Sequence, residues 1–126
     1  MGATRVTVAI RNPAEPERVW QGLFLVDTGA TDCLVPRQHL ESIGLVSEAR
    51  RRYVLADGNE VSLDVTGARI EFMGEFTWGT IVFGEEDAEP LLGVTALESV
   101  GIEVDPRNQT LKRLPAVLLR GFRPRA

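Results

Sequence analysis

FLVDTGATDCLVP, residues 24–36, runs apolar into an aspartate, turns on a glycine and runs apolar out again. The apolar approach from Leu23 to Val26 makes Asp27 a carboxylate that should emerge from the core, where an unpaired charge is costly. Such a group must be paired, hydrogen-bonded or protonated. No arginine or lysine lies between Arg18 and Arg37, so the local sequence supplies no ion pair. As a bare tripeptide, Asp27-Thr28-Gly29 reads as a turn, with Asp accepting backbone hydrogen bonds and Gly29 at positive φ. The apolar approach argues for more than a turn.

Outward from this stretch the chain reads as short strands. Val6, Val8 and Ile10 alternate with polar residues, and Val19–Asp27 forms a second strand beyond the turn residues of NPAEPE. Pro36 opens a helix through Ile43 that Gly44 stops. Residues 51–67, RRYVLADGNEVSLDVTG, are two alternating arms around Asp57-Gly58-Asn59, a hairpin signal. Further strands are expected at Ala68–Phe72 and Phe76–Phe83, with a short buried one at Pro90–Gly93. Thr95 and Glu98 have capping-box spacing for a second helix ending at Gly101, and GIEVD and QTLKRL close the domain. LESIGL at 40–45 returns as LESVGI at 97–102. Each copy follows a strand ending in glycine, LVDTG and PLLG, which points to a duplicated unit around an internal pseudo-twofold axis.

The totals narrow the chemistry. At 126 residues and 44% hydrophobic, this is one globular domain. No apolar run approaches the roughly 18 residues of a spanning helix. The N-terminus lacks signal-peptide layout, so a cytoplasmic protein is expected. From Arg107 onward there are six basic residues and no acidic ones, leaving eight basic against eighteen acidic groups elsewhere. An acidic body argues against nucleic acid as a partner, no membrane partner is expected, and the basic tail reads as a solvated end rather than one that touches RNA or a membrane surface. Cys33 and His39 are each the only residue of their kind, which removes thiolate clusters, two-histidine metal motifs and most triads. His39 reads as exposed on a surface helix. No phosphate-binding glycine motif is present. An enzyme built from this chain must work with carboxylates.

LVDTGAT resembles the active-site motif of retroviral-type aspartic proteases, the retropepsin-like family. Leu91-Leu92-Gly93 before VTALES matches that family's second signature, two apolar residues and a glycine leading into a helix. Order and spacing agree over residues 5–114. The resemblance implies a mostly β, closed acid-protease domain with one lobe per chain and two short helices, spanning 1–114, with 115–126 as a basic extension. It also implies a homodimer, because each chain carries one Asp-Thr-Gly and two are needed. The two Asp27 carboxylates would share a proton, the ionised one activating water and the protonated one holding the peptide carbonyl oxygen, with no metal or cofactor required. Thr28 would bond to the partner chain, and Gly29 would let the backbone approach the carboxylates. Ala30, Thr31 and Leu92 would line the peptide site, under a flap formed by Ala56, Asp57, Gly58 and Asn59.

The chain departs from viral members of the family in several places. Thr31 replaces an acidic residue, Val94 an arginine, and a polar Asp57-Gly58-Asn59 a glycine-rich flap. A bacterial or cellular relative is therefore expected. Arg50-Arg51-Arg52 reads as a solvated strand end, and Val117, Leu118 and Leu119 as a segment packed on the body or on a partner. The expected function is aspartic endopeptidase action on peptide or protein substrates. The alternative is a non-catalytic module of the same fold that binds extended peptides or dimerises.

Overall fold

The computed structural model describes residues 3–117 and 119–124. Nine strands and two short helices follow in the order β1 (Arg5–Arg11), β2 (Val19–Asp27), β3 (Cys33–Pro36), α1 (Arg37–Ser42), β4 (Ala49–Val54), β5 (Glu60–Phe72), β6 (Glu75–Gly84), β7 (Leu91–Gly93), α2 (Val94–Ser99), β8 (Ile102–Asp105) and β9 (Thr110–Arg113). Six of them form a ring, β1-β2-β7-β3-β6-β5, which closes where Ala9–Arg11 pair with Arg69–Glu71. The result is the mostly β, one-lobe retropepsin-like barrel with two short helices that the sequence implied. Alternating residues point inward and fill it, among them Val8 and Ile10 of β1, Phe24 of β2, Ile70 and Phe72 of β5 and Ile81 and Phe83 of β6.

β5 shows why closure and an outlying hairpin coexist. Its first half pairs with β4, its second half with β6, and Arg69–Glu71 reach β1 on the edge that β4 leaves. A strand edge serves one neighbour at a time, and Glu48 covers the gap between them. Its carboxylate accepts hydrogen bonds from the Gly67 N–H (3.0 Å) and the Thr66 hydroxyl (2.7 Å), which hold its pKa below the usual range. Gly67 is therefore inside one continuous strand, not the break expected before Ala68. The turn that follows is the two-residue Met73-Gly74, both at positive φ, which matches hairpin twist.

The internal repeat extends well beyond its six-residue signature. The shift that carries Leu34 onto Leu91 also carries β2 onto β6, β3 onto β7, α1 onto α2 and LESIGL onto LESVGI. The parallel pair β2–β7 is matched by the parallel pair β3–β6. Leu34 pairs antiparallel with its own equivalent Leu91, as residues beside a local twofold axis must. Ile10 and Ile70, equivalent through their register partners Trp20 and Thr77, do the same across the closure of the barrel. The strands preceding the LES helices are thus β3 and β7. The four-residue β3 was not expected as a strand, and LVDTG is not the equivalent of PLLG. The residue equivalent to Asp27 is Gly84, at the end of β6.

Several local expectations are corrected. Gly44 and Gly101 do stop the helices in the left-handed region, at φ 81° and 69°. Thr95 and Glu98 form no capping box, since Gly93 occupies the N-cap and no side chain caps α2. His39 is half-buried, with its ring stacked 4.4 Å from that of Trp20. Arg50, Arg51 and Arg52 are not a free strand end, because each is ion-paired, with Asp64, Asp32 and Glu60 respectively. In the tail, Val117 reaches the backbone of Gly101, but Leu119 is 73% exposed and so does not pack on its own body. Leu118 lies outside the described residues.

Ile10 and Ile70 meet where the barrel closes, so each truncation to alanine should cost about 2–5 kcal/mol. The double variant should lose less than the sum, because the two truncations open one shared cavity. Urea unfolding measures both quantities, and strict additivity would mean that the two side chains do not share that space.

Candidate active site

Asp27 stands at the last position of β2, where β2 runs parallel to β7 and Asp27 is the register partner of Gly93. Beyond it the chain reverses tightly. The Gly29 N–H donates to Asp27 Oδ1 (2.9 Å) and the Ala30 N–H to the Asp27 carbonyl (3.1 Å). Gly29 does not adopt positive φ, contrary to the turn reading. It is needed for space, since a Cβ there would lie 3.2 Å from Asp27 Oδ1. Of the apolar approach only Phe24 is fully buried, while Leu23 is 58% exposed on the outer face of the pleat. Asp27 is accordingly half-buried in the single chain, less deeply than the apolar run predicts, and Thr28 and Gly29 beside it are exposed.

The loop from Thr28 to Asp32 is held from behind by Gly93 and α2. A Cβ on Gly93 would come within 2.6 Å of the Asp32 carbonyl group and 2.9 Å of the Thr31 oxygen. Only glycine admits that backbone. The Val94 N–H donates to the Ala30 carbonyl (2.8 Å) and the Thr95 N–H to the Thr31 carbonyl (3.3 Å). First-turn N–H groups have no partner inside a helix. Here the loop carbonyls take two of them, and this explains why α2 uses no side-chain cap. Cys33 lies beneath in the core, where burial pushes its thiol up to about 11.

The other expected residues are distributed unevenly. Ala30 and Thr31 flank Asp27 and use their carbonyls to hold α2. Leu92 is fully buried, because it points inward while Leu91 points out, so it cannot line a solvent-facing site. Ala56 to Asn59 form the exposed tip of the β4–β5 hairpin. That tip is self-contained: the Leu55 N–H donates to the Asn59 carbonyl (2.7 Å) and the Asn59 N–H to Asp57 Oδ1 (2.9 Å). Among the described residues the tip makes no hydrogen bond to the Asp27 loop, but the β4 arm of the hairpin does. Tyr53 and Arg51 of β4 both reach Asp32. Sequence reading took Arg51 as part of a solvated strand end and gave Asp32 and Tyr53 no role. Their signals were an i, i+2 pair on one face of the hairpin and a second carboxylate inside the motif itself.

The larger cavities lie elsewhere. One of about 650 Å³ is bordered by Asn12, Glu48 and Trp78, and one of about 490 Å³ lies between α2 and Leu114–Val117. Neither contains Asp27. Among the described residues, no group of three or more His, Cys, Asp or Glu side chains is arranged to hold a metal ion.

A closed β domain carrying Asp-Thr-Gly at a strand end, braced by a Leu-Leu-Gly strand and a short helix, is one lobe of an acid protease. Residues 20–96 match a family described as aspartyl protease. The chain belongs to this retropepsin-like aspartyl protease family. No individual curated protein matches it.

The bracing gives a direct test. Gly93→Ala forces a methyl group into backbone and should cost more than about 2 kcal/mol. Gly58→Ala at the hairpin tip meets nothing within 4 Å, and at φ 87° should cost only about 1–2 kcal/mol. Chemical denaturation of the two variants should rank them in that order. Equal losses would mean that the loop does not lie against β7.

Proposed function

We propose that the protein is a homodimeric aspartic endopeptidase in which the Asp27 residues of two chains form one site. The observation that carries this reading is that the barrel repeats internally but its carboxylate does not: the residue equivalent to Asp27 is Gly84. One chain therefore supplies one such group, and Asp32, the nearest other carboxylate in the sequence, is already engaged by Tyr53 and Arg51. The partial exposure of Asp27, the exposure of Thr28 and Gly29, and the absence of Asp27 from the larger cavities support a site completed by a second copy. Leu119 and Phe122, 73% and 75% exposed, offer apolar surface that a partner chain would cover.

In the assembled site two close carboxylates cannot both ionise, and the pair holds one proton. The ionised member removes a proton from water, which attacks the peptide carbonyl carbon. The protonated member hydrogen-bonds the carbonyl oxygen as it gains charge. The tetrahedral intermediate then collapses with proton return to the leaving amine. Thr28 bonds across the interface. The β4–β5 hairpin acts as the flap, with the exposed Val54 and Leu55 next to its tip presenting apolar surface to an extended peptide.

Asp27→Asn keeps shape and hydrogen-bonding capacity but removes the ionisable group. Hydrolysis of an unstructured protein at mildly acid pH should fall by about a hundred- to ten-thousandfold, with melting unchanged or raised. A pepstatin-type transition-state mimic should inhibit the wild type. Retained hydrolysis in the variant would remove Asp27 from the mechanism. A wild type that folds, binds peptide and never cleaves would favour the non-catalytic module. The pH profile of kcat/KM should be bell-shaped and centred on the acid side of neutral, with both limbs belonging to the pair. A flat profile from about pH 4 to 8 would contradict a shared proton.

A further inference from the structure

Asp32 sits between the Asp27 turn and β3, and its side chain is only 11% exposed. Its Oδ2 accepts a hydrogen bond from the Tyr53 hydroxyl at 2.7 Å. Arg51 Nη1 stands 3.4 Å from the same oxygen and also donates to Thr80 Oγ1 at 3.3 Å. Arg51 and Tyr53 alternate along β4 and so share the face opposite to Arg50 and Arg52, which pair with residues of β5. β4 is the outermost strand, with β5 as its only strand neighbour. Among the described residues, these contacts are the only side-chain hydrogen bonds that tie β4 to any other part of the barrel. Each of them ends on the site loop or directly beside it.

We propose that Asp32 is a latch that fixes the β4 arm of the hairpin to the Asp27 loop, making Asp32, Tyr53 and Arg51 positioning residues for peptide binding. With that arm pinned at Tyr53, whose register partner is Val61, closing motion is confined to Val54–Asn59, and the height of the flap over Asp27 is set by the loop that carries Asp27. This inference rests on the reading of that hairpin as a flap. The latch is suited to permanence. Burial, the Asp32 acceptor and its charge push the Tyr53 phenol up to about 12, against the lowering effect of Arg51, so the donor keeps its proton at any working pH. A hydrogen bond to an ionised acceptor also has the strength to hold a hairpin that lacks a second strand neighbour.

Tyr53 is the only tyrosine in the sequence, so the latch can be read directly. Tyr53→Phe keeps the ring and removes only the donor. Its melting curve should show a folded protein, and amide exchange across residues 50–59 should rise about tenfold or more. KM for a peptide should rise by a similar factor while kcat stays within about twofold, as expected when positioning is lost and chemistry is not. In Asp32→Asn, phenolate absorbance should appear at lower pH than in the wild type, which stays un-ionised near the ordinary tyrosine value of about 10. Unchanged exchange, an unchanged Tyr53 titration, or faster exchange with unchanged KM would overturn the latch. Exchange and titration require no turnover. If the wild type fails to hydrolyse peptides, the proposed function falls while these two measurements still decide whether the latch exists.

Discussion

The Thr31–Asp32 backbone lies in the space that any side chain on Gly93 would occupy, and the site is assembled around that contact. It allows β2 and β7 to run side by side to their ends, which puts Asp27 opposite Gly93. It also brings the first N–H groups of α2 onto the carbonyls of Ala30 and Thr31. Each of those bonds contributes only about 1 kcal/mol net, but leaving the groups unpaired would cost more. The loop that carries the carboxylate is thereby fixed by backbone on every side. Of its side chains, Thr28 is exposed, whereas Asp32 is held by Tyr53 and Arg51.

The same geometry occurs twice in the barrel, but only one copy carries Asp-Thr-Gly. β3–β6 pairs in parallel as β2–β7 does, and α1 follows β3 as α2 follows β7. At the first copy's turn stands Asp27-Thr28-Gly29, and at the second's stands Gly84 followed by Glu85 and Glu86. A Cβ on Gly84 would meet Leu34 Cδ2 at 2.6 Å, so any side chain there requires Leu34 to shift. The duplication thus builds the barrel around Leu34 and Leu91 with one Asp-Thr-Gly, and in the proposed dimer the second carboxylate would come from another chain.

What the sequence made legible was local. Alternation in Val6–Ile10 and Val19–Asp27, the Asp57-Gly58-Asn59 turn and the glycines after both helices each act within a few residues, and each was read correctly. Misreadings arose where distant partners decide. Gly67 looks like a strand break until Glu48 and Thr80 are seen on either side of it. Thr95 and Glu98 have capping-box spacing, but the Asp27 loop, more than sixty residues earlier, had already supplied the acceptors for α2. β3 is only four residues long and exists because β6 and β7 flank it. Asp32, Arg51 and Tyr53 converge from two segments that no local pattern links. The family itself was legible because both its signatures are short and continuous.

In the proposed enzyme two chains share one site. The most direct measurement mixes wild type with inactive Asp27→Asn chains under conditions of subunit exchange, and follows activity per wild-type chain. With three mutant chains for each wild-type chain, random pairing should leave about a quarter of the original activity, since only wild-type pairs carry both groups. Activity per wild-type chain that stays constant at every mixing ratio, with exchange verified, would contradict the account.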